Sequence, residues 1–120
     1  METILNDVNF RNMQENMDEK TIIILKFTAT WCGPCKKIDP LCKQIVEKLP
    51  ASIRFYEIDI DESIELYMKL KTYKMVNGIP ALLAYKDGSR YKWYIPDFSV
   101  VGSKESDIIN FFETCVKYVQ

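Results

Sequence analysis

Apolar residues follow two kinds of spacing along this chain, and together they predict an α/β fold. Continuous or β-rich apolar runs predict three buried strands, over residues 21–29, 52–60 and 81–86. Apolar positions at helical spacing predict helices over residues 8–17, 34–49 and 62–70, and a last helix after Gly102-Ser103. This order of elements predicts one domain, residues 1–120, with a central mixed β-sheet flanked by helices on both faces.

Turn residues and aromatic residues predict the rest of the sheet. Asp87-Gly88 is a strong hairpin signal, and residues 90–95 then form the partner strand. Residues 96–101 are expected to be a loop or an irregular strand end. A short extended segment is predicted near residues 3–5, before a helix cap at Asn6-Asp7.

The densest chemical signal is Trp31-Cys32-Gly33-Pro34-Cys35, at the junction of the first strand and the second helix. Two thiols at this spacing can close a small disulfide ring and open it again, which predicts dithiol–disulfide exchange. At the start of a helix, free N–H groups and the helix dipole favour an anion, so Cys32 is expected to be the attacking thiolate. Helical spacing turns Cys35 towards the core, where it would act as the resolving thiol. Pro34 suits the first turn, which does not use its missing N–H group.

A metal site is the alternative for such a cysteine pair. The remaining cysteines, Cys42 and Cys115, do not form a second pair at zinc-binding spacing, and the chain has no histidine. We therefore predict no metal, and we expect Cys42 and Cys115 to be small buried residues. Regulatory or intermolecular oxidation is the other interpretation of these two thiols.

Composition narrows the setting. The 120 residues are 48% hydrophobic and 28% charged, with a formal net charge of -1, so a nucleic-acid partner is not expected. No apolar run is long enough for a membrane span, and the first residues lack the pattern of a signal peptide. A cytoplasmic location is expected, where cysteines are catalytic more often than structural.

The motif and its surroundings resemble the thioredoxin family over almost the whole chain. Trp31 to Lys36 match that family's active-site motif, Ile79-Pro80 its cis-proline site, and Val101-Gly102 its last loop. The resemblance implies that Cys32 and Cys35 are catalytic, and that a shallow groove binds an extended segment of a disulfide-containing substrate protein. The residues implied for that groove are Trp31, Gly33, Pro34, Ile79, Pro80 and Gly102. It also implies a monomer without bound cofactor. A separate thioredoxin reductase would return its disulfide to the dithiol form.

The sequence departs from the family at two charged positions. Lys26 stands where the family usually has a buried acid, and Glu57 stands where the family usually has a lysine. We expect these two side chains to pair beneath the active site, because an unpaired buried charge is costly. In that arrangement Lys26 and Glu57 tune the ionisation of the thiols, and Glu57 is the candidate for proton relay. The alternative is that both side chains face solvent or other partners.

The segment between Gly88 and Gly102 is longer than is usual in the family. It is either a partner-specific lip beside the substrate groove or simply a longer hairpin. Trp93 and Tyr94 are expected to pack on the sheet.

The first functional hypothesis is an enzyme, a protein disulfide reductase. The alternatives are an oxidant or isomerase fed by a sulfhydryl oxidase, and a non-catalytic binding subunit of the same fold. Pro34 favours the reductant, since oxidants of this family often have histidine there, whereas Lys26 favours the oxidant.

Overall fold

Four strands and four helices build residues 4–88 and 92–120, the part of the chain that this computed structural model describes. The helices are α1 (Asp7–Glu15), α2 (Gly33–Val46), α3 (Ile64–Thr72) and α4 (Glu105–Val119). The strands are β1 (Ile22–Thr28), β2 (Ile53–Asp59), β3 (Ala81–Lys86) and β4 (Phe98–Val101). Among these residues, no helix combines the length and the apolar composition needed to cross a bilayer.

The sheet is mixed, with the strand order β2-β1-β3-β4. β1 pairs with β2 in parallel and with β3 in antiparallel orientation, and β4 pairs antiparallel to β3. β1 has a neighbouring strand on each side and helices over both faces, which explains why every one of its seven residues is buried. The predicted α/β fold with a mixed sheet is confirmed.

Helices cover both faces of the sheet and create two cores. On one face, Phe10 of α1 and Leu66 and Leu70 of α3 pack against alternate residues of β1, β2 and β3. On the other face, Ile38 of α2 and Phe111 of α4 pack with the remaining alternate residues. Because side chains alternate across a strand, each core uses every second residue of β1.

The prediction of a partner strand over residues 90–95 is wrong. Residues 89–91 lie outside the described part of the chain, residues 92–95 form a turn, and the strand that pairs with β3 is Phe98–Val101. Pro96 has no N–H group to give a strand pair, and pairing begins beyond it. The Asp97 backbone N–H donates to the Ala84 carbonyl at 2.8 Å.

The aromatic residues before β4 pack against the helices instead of extending the sheet. The Trp93 ring lies edge-on to Phe10 and to Tyr73, with centroids 6.2 Å apart in both pairs. Tyr94 stacks on Tyr73 at 3.9 Å. Gln14 of α1 donates its side-chain N–H to the Trp93 carbonyl at 3.0 Å. These contacts make the described part of the extension a component of the α1–α3 face.

The predicted extended segment near residues 3–5 falls partly outside the described residues, and Ile4 and Leu5 are not in a strand. The predicted cap is confirmed: the Asn6 side chain accepts the Asn9 backbone N–H at 3.0 Å. Ile4 is nonetheless buried, and its carbonyl accepts the Ser63 hydroxyl at 2.6 Å. This bond fixes the start of α1 beside the start of α3.

The end of α4 is fastened to the turn after β3. The Tyr118 hydroxyl donates to Asp87 Oδ1 at 2.5 Å, and Lys86 Nζ lies 4.7 Å from the centre of the Tyr118 ring. The Tyr118 hydrogen bond lowers the pKa of the Asp87 carboxyl, because it stabilises the charged form.

Candidate active site

Cys32 and Cys35 form a disulfide at the start of α2, with their Cα atoms 5.3 Å apart. Cys32 is the N-cap residue of the helix, and its Sγ accepts the Cys35 backbone N–H at 3.2 Å. Cys35 is fully buried, whereas Cys32 retains 4% of its surface exposed. The same N–H that meets a bonded sulfur here would stabilise a thiolate on Cys32 after reduction.

Cys35 is buried, as the helical spacing predicts, but it packs with the core on the α1–α3 face. Ile38 and Cys42, further along α2, belong to the core on the α4 face. Phe27 and Ala29 at the end of β1 share the cluster of Cys35. The first turn of α2 therefore packs with the end of β1, and Phe27 and Ala29 help to shield Cys35 from solvent.

The cis peptide bond at Ile79–Pro80 lies at the same end of the sheet. Phe27, near the end of β1, is paired with Ala81 at the start of β3, so Pro80 stands where β1 leads out towards the dithiol. The Pro80 carbonyl accepts the Gly102 backbone N–H at 2.9 Å. Gly102 has φ +102°, a region that favours glycine. The predicted cis-proline is confirmed.

Trp31 forms an exposed shoulder beside the disulfide. Its ring is 65% exposed, yet its Nε1 donates to Asp61 Oδ2 at 3.0 Å. Asp61 follows the end of β2, so this hydrogen bond ties the motif to the neighbouring strand. An exposed tryptophan held in one orientation is suited to contact another protein.

A buried cation lies behind α2. Lys26 of β1 is only 1% exposed, and its Nζ donates to Asp39 Oδ1 of α2 at 2.5 Å. Glu57 of β2 is a second partner, with Oε2 3.8 Å from the same Nζ. The expected Lys26–Glu57 pair is therefore present as the longer contact, while the shorter partner is Asp39, which the sequence analysis did not name.

Asp39 and Glu57 open onto a surface depression of about 530 Å³. Carboxylates dominate its charged lining, with Asp59 and Glu62 beside the two partners of Lys26, and Lys36 at the active-site end. The buried ammonium is thus shielded from water by protein, while its two carboxylate partners reach solvent.

The other two thiols are isolated from solvent. Cys42 and Cys115 are buried and unbridged, as predicted. Burial raises the pKa of the Cys42 thiol, and nearby Lys26 opposes that shift. Burial raises the pKa of the Cys115 thiol to about 12. Among the described residues, no group of three or more histidine, cysteine, aspartate or glutamate side chains is arranged to hold a metal ion.

The sequence of this chain matches a known protein family. The family model for thioredoxin matches residues 2–114. A thioredoxin H-type from Oryza sativa subsp. indica is 35% identical over 98 residues, which cover 82% of this chain and 69% of the relative. A thioredoxin H-type from Picea mariana is 33% identical over 96 residues, covering 80% and 68%. The chain belongs to the thioredoxin family.

A solved thioredoxin structure agrees with the fold. The reduced thioredoxin pre-protein of Schistosoma mansoni superposes with a TM-score of 0.69 at 26% identity, covering 94% of this chain and 95% of that chain. With its cysteine pair at the active-site position of the family, this thioredoxin-family protein is a thiol–disulfide oxidoreductase, an enzyme that reduces disulfides. Members of the family act on disulfide substrates and are themselves reduced by thioredoxin reductase.

Two polar residues of the site were missed from sequence. Asp39 stands four residues after Cys35, a spacing that places both on one side of α2, and this signal was available. Asp61 is not named in the sequence analysis. Its hydrogen bond to Trp31 depends on how β2 turns beyond Asp59, which the local pattern does not reveal.

Proposed function

We propose that this thioredoxin-family protein reduces protein disulfides with Cys32 as nucleophile and Cys35 as resolving thiol. The observation that carries the proposal is the disulfide at the start of α2, with a backbone N–H at Cys32 Sγ and with Cys35 fully buried. An incoming disulfide can approach only the sulfur that retains exposed surface.

The chemistry proceeds in two balanced steps. The Cys32 thiolate attacks a substrate disulfide, a mixed disulfide forms, and the first substrate sulfur leaves as a thiolate. The Cys35 thiol then loses its proton and attacks Cys32 Sγ, which breaks the bond to the second substrate sulfur. The substrate gains two electrons, takes up the proton that Cys35 releases and one more from water, and departs as a dithiol, while the protein retains the Cys32–Cys35 disulfide.

An extended segment of the substrate protein is proposed to bind across the end of the sheet. Trp31 gives an exposed ring on one side, and the Pro80–Gly102 hydrogen bond closes the other side. Extended peptides bind well to such places because their backbone groups can pair with exposed backbone groups of the protein. The proposed groove residues are Trp31, Gly33, Pro34, Ile79, Pro80 and Gly102.

The chain is proposed to work as one domain, residues 1–120, and as a monomer in the cytoplasm, without nucleic acid, membrane or bound cofactor. Its electrons would come from a separate thioredoxin reductase. A tuning role for Lys26, with Glu57 as a proton relay, is part of this proposal, supported by the 3.8 Å contact between them.

A redox titration separates the reductant from the alternative oxidant. The Cys32–Cys35 couple is equilibrated with a series of glutathione and dithiothreitol buffers, and insulin reduction is measured in parallel. A reduction potential of about -270 mV supports the reductant, whereas one between about -180 and -120 mV supports an oxidant fed by a sulfhydryl oxidase. A variant with serine at Cys32 that reduces insulin as fast as the wild type would refute the mechanism.

A further inference from the structure

The cation behind the active site is held mainly by the helix that carries the dithiol. Lys26 Nζ is 2.5 Å from Asp39 Oδ1 on α2 and 3.8 Å from Glu57 Oε2 on β2. Lys26 is 1% exposed, whereas Asp39 is 37% and Glu57 55% exposed. Asp39 is therefore both the closer and the less hydrated partner, so its charge contributes most of the compensation of the buried ammonium.

Asp39 also has a fixed relation to the thiols. It lies four residues after Cys35 and three before Cys42 on α2, positions that neighbour one another on a helix surface. Burial dominates the ionisation of the Cys42 thiol, and the charges of Lys26, Asp39 and Glu57 also act on it, so this cluster lies within electrostatic reach of one sulfur atom of α2. Cys35 lies about one turn before Asp39, where α2 packs against the end of β1, the strand that carries Lys26.

We propose that Asp39 is a redox-tuning residue, which neutralises the buried charge of Lys26 and so limits how strongly that cation stabilises the reduced dithiol. The inference rests on the proposed dithiol function and adds a control on the potential of the couple. Lys26 is buried and Asp39 is paired with it, so both would act through the thiols, and both are positioning residues.

The two charges must have opposite effects. Replacing Asp39 with asparagine removes the anion four residues after Cys35 on α2 and leaves Lys26 with only the more distant Glu57. Thiolates then become more stable, the reduced protein is favoured and the couple becomes more oxidising. Replacing Lys26 with methionine removes the cation but keeps the anion, so the couple becomes more reducing.

The test measures the equilibrium constant of the Cys32–Cys35 couple with glutathione for the wild type, Asp39→Asn, Lys26→Met and the double variant. We expect Asp39→Asn to favour the reduced protein by about tenfold, which is about 30 mV for a two-electron couple, and Lys26→Met to favour the oxidised protein several-fold. The double variant should lie within about twofold of the wild type, because both charges are gone. Glu62→Gln is the matched control, since Glu62 lines the same depression on the loop after β2, and it should not change the constant.

Alkylation of the reduced protein gives a second readout that a purely structural role would not change. At neutral pH, Asp39→Asn should react faster with iodoacetamide at Cys32 than the wild type, and Lys26→Met more slowly. Shifts in the same direction, or shifts below twofold in both single variants, would overturn the inference. If Asp39→Asn does not fold, Lys26→Met and the double variant still decide, because neither retains the buried cation. A wild type that fails to exchange with glutathione at all would instead refute the proposed function.

Discussion

The buried ammonium of Lys26 has two carboxylate partners, Asp39 and Glu57. We expect removal of these two carboxylates to lower the stability of the protein by unequal amounts. At an effective dielectric constant of about 20, Coulomb attraction is about 6–7 kcal/mol over the 2.5 Å to Asp39 and about 4 kcal/mol over the 3.8 Å to Glu57. Water screens both, because Asp39 is 37% and Glu57 55% exposed. Removing one partner of a fully buried pair costs about 3–5 kcal/mol, since it leaves a charge without compensation.

From these values we expect Asp39→Asn to lower the free energy of unfolding by about 2–3 kcal/mol, below the fully buried case because Asp39 is partly hydrated and Glu57 remains. Glu57→Gln should cost less than about 1 kcal/mol, as exposed pairs do. Lys26→Met should be neutral to within about 1 kcal/mol, because it removes the buried charge itself and Asp39 can turn to water.

Urea unfolding of the oxidised proteins, followed by far-ultraviolet circular dichroism, measures these differences. The transition midpoints should fall in the order wild type, Glu57→Gln, Asp39→Asn, with unchanged slopes. Equal costs for the two carboxylates would show that the short contact to Asp39 is not the dominant one. A Lys26→Met variant less stable than Asp39→Asn would show that the buried ammonium stabilises the fold on balance, which contradicts the expected near-neutral effect of Lys26→Met.

Three further predictions concern other parts of the molecule. Tyr118→Phe should cost about 1 kcal/mol at about pH 7, the usual value of one hydrogen bond. Because that bond lowers the pKa of Asp87, its stabilisation is present above the ordinary carboxyl value of 3.8 and lost as the pH falls below it, so urea midpoints of variant and wild type should converge in acid. In the reduced, folded protein, iodoacetamide should label Cys32 first, while Cys42 and Cys115 react only after unfolding, and mass spectrometry that finds either of these two labelled early would contradict their burial. Trp93→Ala should lower stability by about 2–4 kcal/mol in thermal unfolding while leaving the rate of insulin reduction unchanged at low temperature, and a selective loss for some substrates would support the lip hypothesis.

The elements that could be predicted from sequence are those whose apolar pattern is set by burial on two sides. β1 and β3 are enclosed by helices above and below, so their continuous apolar runs mark them within a residue or two. The partner strand of β3 could not be placed this way. Trp93 and Tyr94 have strong strand preference, but packing against Phe10 and Tyr73 decides where they go.

The parts of the candidate site that could be predicted are its local motifs, and the parts that could not are contacts between separate elements. The dithiol motif and Pro80 are local signals, and the structure brings them to one end of the sheet. The nearer partner of Lys26 depends on whether α2 or β2 lies closer to its ammonium group. The position of Lys26 within its strand does not predict those distances. Alignment with the family favoured Glu57, whereas the helix supplied Asp39.

Trapping the mixed disulfide identifies the thiol that attacks the substrate. A reduced variant with serine at Cys35 is mixed with a peptide that carries one disulfide, and the products are digested and identified by mass spectrometry. We expect a stable mixed disulfide between the peptide and Cys32, and no such product when Cys32 is the residue replaced. A peptide bound instead to Cys42 or Cys115, or equal trapping by both variants, would contradict that expectation.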